Sequence, residues 1–370
     1  MSQKVTFPED FWWGAAMSGP QMEGTFEKPH ENVMDYWYKT SKEEFFNGVG
    51  PTVATDFFHH YKEDIKMMKS IGMNSFRTSI QWSRLIKDLE TGEPDENAVK
   101  FYQDVIDECK KNDIILVLNL HHFDLPIELF QKYGGWESKH VVDLYAKFAK
   151  TAFELFGDQV HYWTTFNEPM VIPEAGYLCG FHYPKYVNKG KEAMQVIYNL
   201  NLASAKAIAL CHEICDAKIG NILNLTPAYP ATDSKEDQET SKIVDAFYNR
   251  SFLEPAVHGV FPQEMIDIMK ENDVLWDQNE EELEIIKNNT IDFYEEHLQL
   301  LAKAMEEGSN CFGYHAWTGI DCWSWNNAYK NRYGFIALDL ETQKRTVKKS
   351  GEWLKKVTEE HGYIAKDSYQ

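Results

Sequence analysis

The stretch HYWTTFNEP, residues 161–169, decides the fold. Tyr162, Trp163, Thr164, Thr165 and Phe166 favour a strand, and they run directly into an amide, a carboxylate and a proline. Pro169 lacks the N–H that a further strand position would use, so the strand stops with Glu168 at its carboxyl end. In parallel α/β proteins ligands sit at that end, and in an eight-fold barrel catalytic side chains project there. Two readings of Glu168 follow: a chemical group on a rim, or a cap for the helix that Pro169 opens.

A chain of 370 residues fits one α/β barrel with insertions, a fold of about 250 residues that can exceed about 400. A net charge of −21 argues against a nucleic-acid partner and gives no support to membrane binding. The opening MSQKVTFPED has no apolar core of signal-peptide length, and the apolar run 114–118 is too short to span a bilayer. A cytoplasmic protein is expected. The six cysteines read as free thiols. Cys211 and Cys215 flank His212 in CHEIC, but they lie in a helical pattern and lack the further ligands of a structural zinc site, so no metal is expected.

Residues 11–24, FWWGAAMSGPQMEG, read as an apolar strand that breaks into small residues and reaches the rim at Gln21 and Glu23. Within 56–70, Phe57, Tyr61, Ile65 and Met68 recur at helical spacing, and Gly72 ends the helix. The next strand, 74–80, carries Arg77, a cation that is costly there unless paired: it holds a rim carboxylate or sits in a structural ion pair. A helix over 97–111 leads to IILVLNL, 114–120, the continuous apolar run of a strand covered on both faces. His121, His122 and Asp124 follow. Adjacent strand residues point to opposite faces, so one histidine faces the barrel interior, as a hydrogen-bonding group rather than a metal ligand.

Helix 139–156 precedes the opening strand, 203–215 carries a further helical pattern, and 218–225 the fifth strand. This alternation is the signature of βαβ units around a parallel sheet. Helical segments follow over 244–249 and 263–270, and the acidic run 280–284 reads as a solvated helix face. NTIDF, 289–293, begins like a sixth strand but passes at once into an amphipathic helix pattern over 294–306. Strand character returns at 311–317 and reaches the rim at DCWSW, 321–325, before a terminal strand over 334–340 and a closing helix over 344–356.

In this order, FPEDFWWGAA, SGPQMEG, NLHHFDLP, TFNEP and WTGIDCWSW resemble glycoside hydrolase family 1, the retaining β-glycosidases on a (β/α)8 TIM barrel. The match covers nearly the whole chain, as one domain over 1–370. The resemblance implies that Glu168 is the acid/base, that Asn167 grips the sugar 2-hydroxyl, and that Gln21, His122, Trp317 and Trp325 line the glycone subsite. Such an acid must be protonated when the aglycone leaves, so a partly desolvated pocket and a nearby carboxylate are expected to raise its pKa. Asn167 and His122 would hold hydroxyls through bonds that tighten in the oxocarbenium-like transition state. Trp317 offers a face to the pyranose ring, or fills volume in the core. No metal or organic cofactor is implied.

Where many members carry a glutamate before the last tryptophan of that final motif, this chain has Ser324. The lost charge makes room for an anion at the sugar's sixth position. Lys330 and Tyr333 in AYKNRYGF supply a cation and a hydroxyl that with Ser324 would hold a phosphate, unless they form a solvated loop. This resembles the 6-phospho-β-glucosidase branch, in which the lysine's spacing varies.

A retaining mechanism needs a second carboxylate about 5–5.5 Å from the acid/base. The family carries it in a Thr-Glu-Asn-Gly-like motif ending strand seven, and no such motif occurs here. The chain passes from the start of strand six to helix seven, as if by an internal deletion near 293–294, and Glu295 and Glu296 fall on that helix. The expected fold is therefore an incomplete (β/α)8 barrel without strand seven and most of strand six. An interrupted gene, a deliberate deletion and a natural remnant with another task all account for the gap. The expected function is retaining hydrolysis of small phosphorylated β-glucosides; the alternatives are a catalytically dead sugar-phosphate-binding remnant and an ordinary β-glucosidase.

Overall fold

The computed structural model describes residues 4–294, 308–309 and 311–364. Its centre is a sheet of seven strands, each parallel to its neighbours. The spatial order is Gly313–Trp317, Trp12–Ala16, Ser75–Ser79, Ile115–Asn119, Tyr162–Asn167, Lys218–Ile222 and Phe293–Tyr294. Within this sheet the strand latest in the chain, Gly313–Trp317, thus pairs with the earliest, Trp12–Ala16, the pair that closes a barrel. Gly14 suits that crowded pairing, because a Cβ there would lie 2.4 Å from both His315 Cδ2 and Ser75 Oγ.

Side-chain alternation builds the layers. Tyr162 points inward, where its ring meets Trp12 edge-on at 4.7 Å, and Trp163 points outward onto Phe153 at 5.1 Å. Phe153 belongs to the helix Lys139–Phe156, which buries Val141, Tyr145, Phe148 and Phe156 on the same side. The helix Phe57–Ser70 buries Phe57, Tyr61, Ile65 and Met68, the spacing its sequence predicts. Burial of these stripes between sheet and helices contributes about 1.5–3 kcal/mol per large side chain. Among the described residues no helix is long and apolar enough to cross a membrane.

The two ends of the sheet meet at the amino ends of the strands. Phe293 lies 6.3 Å from Phe312, which precedes the Gly313–Trp317 strand, and 6.2 Å from Tyr162. Trp12 completes this floor of rings, 5.0 Å from Phe312. Among the described residues no strand falls between Phe293–Tyr294 and Gly313–Trp317 in the chain, and the incomplete barrel expected from the sequence is the fold observed.

Four elements depart from expectation. The helix expected over 203–215 is Gly190–Ile214, because Asn199 and Asn201 interrupt its apolar pattern yet are buried, donating to Trp136 O and to Ile197 O and Ser251 O. The sixth strand begins at Phe293 and not at 289: Asp292 closes a ring with Ile219, its backbone N–H donating to Ile219 O at 2.9 Å and its carboxylate accepting Ile219 N–H at 2.8 Å. The strand expected over 334–340 is Ile336–Leu338, paired antiparallel with Arg345–Val347 outside the barrel, and it is not the terminal one, since Gly362–Ile364 follows and pairs with Lys4–Thr6. The closing helix accordingly starts late, at Lys349–Glu359, since the buried Arg345 guanidinium is held by Asp64 at 2.8 and 3.2 Å. The helix expected over 294–306, beyond Tyr294, and with it Glu295 and Glu296, lies outside the described residues.

Candidate active site

The Tyr162–Asn167 strand delivers Glu168 to the rim through an irregularity. Its register to the Lys218–Ile222 strand shifts between Thr164 and Asn167, which turns Thr165 and Phe166 both toward the helices: Thr165 Oγ1 meets Ser204 Oγ at 2.8 Å, and Phe166 stacks on Tyr145 at 4.9 Å. Asn167 then points inward. Both neighbouring strands fix this end, because Asn167 N–H donates to His121 O at 2.9 Å and Glu168 N–H donates to Ile222 O at 2.8 Å. Glu168 adopts a left-handed φ of 47°, a conformation costing about 1–2 kcal/mol that its surroundings must hold in place.

Three polar side chains form a relay across the interior. Arg77 Nη1 donates to Asn167 Oδ1 at 2.8 Å, and Asn167 Nδ2 donates to Glu168 Oε2 at 3.3 Å. Arg77 is buried, Asn167 is buried, and Glu168 is half-buried. The short Val171–Pro173 helix has no side-chain cap hydrogen bond at its N-cap, Met170. Arg77, expected to hold a rim carboxylate or to sit in a structural ion pair, has among its contacts the amide that neighbours Glu168.

The two histidines separate onto opposite faces. His121 packs outward against Trp136 and Phe166, with ring centroids at 5.1 and 5.3 Å. Burial alone pushes its pKa down to about 3. His122 faces inward, its ring 5.9 Å from Trp317 at an interplanar angle of 25° and 6.1 Å from Trp325. Burial, then the Arg77 charge and His121, hold its pKa well below the usual histidine range, so the imidazole is neutral. Among the described residues no three His, Cys, Asp or Glu side chains converge as a metal-binding group.

Gln21 lies in the loop that leaves the Trp12–Ala16 strand, within its one helical turn Gly19–Met22, where its Oε1 accepts Ser18 Oγ–H at 2.7 Å and its Nε2 donates to Trp323 O at 2.9 Å. That bond joins the loop to the segment carrying Trp325, whose ring sits 5.6 Å from Trp323. Below it, the buried Glu23 carboxylate accepts Arg84 Nε–H at 2.7 Å, Gln81 Nε2–H at 2.6 Å and Tyr102 O–H at 3.2 Å.

Ser324, Lys330 and Tyr333 share one loop. Ser324 is half-buried and opens a tight turn, its N–H donating to Ala328 O at 2.8 Å, whereas Lys330 is exposed and Tyr333 is 53% exposed. Tyr329 anchors the loop through its hydroxyl on Ala54 O at 2.5 Å. The structure thus connects Arg77, Asn167 and Glu168 by hydrogen bonds and His122, Trp317 and Trp325 by ring contacts, but no described contact joins the three loop residues to one another. Sequence reading passes over Phe123 and His182, which flank Trp325 at 5.7 and 6.1 Å. Nothing in the periodicity around GFHYP signals His182; the left-handed φ of 62° at Phe123, beside two histidines, is the turn that a strand-end reading of NLHHFDLP would place there.

The family profile described as Glycosyl hydrolase family 1 matches residues 3–295 and 269–363. The chain is 39% identical to the 6-phospho-beta-glucosidase GmuD of Bacillus subtilis, over 98% of this chain and 99% of that protein. That alignment runs 465 positions against a chain of 370 residues, so at least 95 positions have no residue of this chain opposite them. It is 31% identical to the aryl-phospho-beta-D-glucosidase BglH of the same organism, over 79% of this chain and 64% of that one. Among solved structures, the family 1 b-glucosidase from Thermotoga maritima superposes with a TM-score of 0.89 at 26% identity, covering 98% of this chain and 100% of that chain. This chain belongs to glycosyl hydrolase family 1.

Proposed function

We propose that this chain is a glycoside hydrolase of the 6-phospho-β-glucosidase type, a single domain over 1–370 that receives phosphorylated β-glucosides in the cytoplasm. The observation that carries the reading is the convergence on one rim of a carboxyl group, an Arg77–Asn167 relay beside it and a His122–Trp317–Trp325 wall. Glu168 protonates the leaving oxygen and later takes a proton from water. Asn167, pre-oriented by Arg77, grips the 2-hydroxyl; neutral His122 and Gln21 hold outer hydroxyls; Trp317 and Trp325 offer apolar faces to the ring. Ser324, Lys330 and Tyr333 take the 6-phosphate, the lysine swinging in from its exposed position. Similarity to GmuD supports the phosphorylated substrate, and Ser324 weighs against an ordinary β-glucosidase.

Retention also requires a nucleophilic carboxylate opposite Glu168. Among the described residues no strand precedes Gly313–Trp317 at the position where the family carries it, which favours a second reading: a protein that binds sugar phosphates without turnover. Release of 4-nitrophenol from its 6-phospho-β-glucoside by the full chain, with Glu168→Gln as control, separates the two. Turnover lost in the control establishes the hydrolase. No turnover, with thermal protection by glucose 6-phosphate, establishes the binding protein, and neither turnover nor protection refutes both.

A further inference from the structure

Asp124 is fully buried, yet its described partners are backbone N–H groups and not a cation. Its Oδ1 accepts His122 N–H at 2.8 Å and its Oδ2 accepts Trp82 N–H at 3.2 Å. An ionised carboxyl in such a place is costly, and burial pushes its pKa up to about 7 against the pull of these donors. A neutral acceptor would cap one N–H at less cost. Two oxygens on one planar group do something else: they fix the distance between the ends of two different strands.

One of those ends is packed into the core. Trp82 is fully buried and stacks on Phe148 at 5.4 Å with an interplanar angle of 7°. The other end is the turn at Phe123, whose left-handed φ of 62° allows Asp124 to reach back to residue 122. His121 on the near side is already held, its carbonyl accepting Asn167 N–H at 2.9 Å and Asn119 Nδ2–H at 2.6 Å. Leu125 on the far side is held too, accepting Val33 N–H at 2.9 Å. Between them His122 depends on Asp124 for its N–H partner, and its imidazole is the ring that meets Trp317 and Trp325.

We propose that Asp124 is a positioning residue of the glycone site, tying His122 N–H to Trp82 N–H so that the imidazole is held against Trp317 and Trp325 at the place where it meets a sugar hydroxyl. The proposal rests on the sugar-binding reading of His122 and gives that reading its mechanical support. The carboxylate touches no substrate; it acts through His122.

The full chain tests this in two ways. With histidine labelled for NMR, the His122 ring protons should lie upfield through the Trp317 face and lose that displacement in Asp124→Ala. Titration with glucose 6-phosphate should show affinity falling about tenfold in Asp124→Ala, and Asp124→Ala should cost nothing further in a His122→Ala background. Should Asp124→Ala fail to fold, Asp124→Asn, which keeps one acceptor oxygen, should move the same resonances in the same direction by less. Unmoved His122 resonances in a folded variant, or an equal loss of affinity in both backgrounds, overturns the proposal. If the wild-type chain does not bind glucose 6-phosphate, the phosphoglucoside reading fails, while the ring resonances still decide the role of Asp124.

Discussion

Replacing Glu23 by glutamine tests whether the loop bearing Gln21 is held by a buried charge pair. Glu23 and Arg84 side chains are each 1% exposed and meet at 2.7 Å. The substitution keeps volume and shape but leaves the guanidinium without its counter-charge and turns an amide toward Gln81 and Tyr102. Breaking a buried pair from one side costs about 3–5 kcal/mol. Arg84 keeps the Phe26 and Gly24 carbonyls at 2.6 and 3.0 Å, which places the expected loss at the lower end, about 3 kcal/mol. Unfolding entropy of about 2.1 cal/mol/K per residue gives about 0.8 kcal/mol/K for a chain of 370 residues, so the melting temperature should fall by about 4 °C. Scanning calorimetry at pH 7 reads this. The double variant Glu23→Gln, Arg84→Met removes both charges and should recover most of the loss, since well-packed apolar replacements of a buried pair are commonly neutral. A single variant melting within about 1 °C of wild type, or a double variant less stable than the single one, would refute the assignment of the loop's stability to this pair.

The buried histidines predict an acid limb. His121 has its folded pKa pushed down to about 3 from an ordinary 6.5, so the unfolded chain binds a proton that the folded chain refuses: the stability is fully present above pH 6.5 and is lost as pH falls toward 3, by about 1.4 kcal/mol per pH unit. His121→Phe, which keeps the ring contacts and sacrifices no described hydrogen bond, should flatten the melting-temperature profile below pH 6, and parallel profiles would count against this cause. Ser324→Glu restores a negative charge on the loop proposed to take the phosphate; it should cost glucose 6-phosphate affinity at least tenfold while leaving glucose affinity unchanged, and equal effects on both ligands would remove Ser324 from the phosphate site.

What the sequence makes legible here is local. Strand residues that run into Asn167, Glu168 and Pro169 announce a strand end because sterics and a missing donor act within three residues. The Lys139–Phe156 and Phe57–Ser70 helices announce themselves because their apolar residues share one face. Contacts between distant residues leave no such trace. Arg345 draws its segment into a hairpin by pairing with Asp64, 281 positions away, where helix periodicity alone predicts a helix. The register shift that turns Asn167 inward is likewise set by the neighbouring strand, and so is the choice of Asn167 as Arg77's partner. Family resemblance supplied the roles; the sheet supplied the arrangement that brings six of those residues together, while the loop carrying Ser324, Lys330 and Tyr333 stays open.

Among the described residues, the ring floor marks where the two ends of the sheet face each other without a ladder. Ladder hydrogen bonds lock neighbouring strands into steps of fixed register, whereas the edge-to-face rings of the floor hold their partners by dispersion alone, without a register. From Gly313–Trp317 through Trp12–Ala16, Ser75–Ser79 and Ile115–Asn119 to Tyr162–Asn167, the ladder is unbroken, and Trp317, Gln21, Arg77, His122 and Glu168 all hang from it or from the loops that leave it. The aromatic seam between Phe293 and Phe312 lies beyond that arc. A displacement across the seam therefore moves the outer wall and leaves the spacing among these five side chains untouched: among the described residues, the break in the ladder parts no two of them.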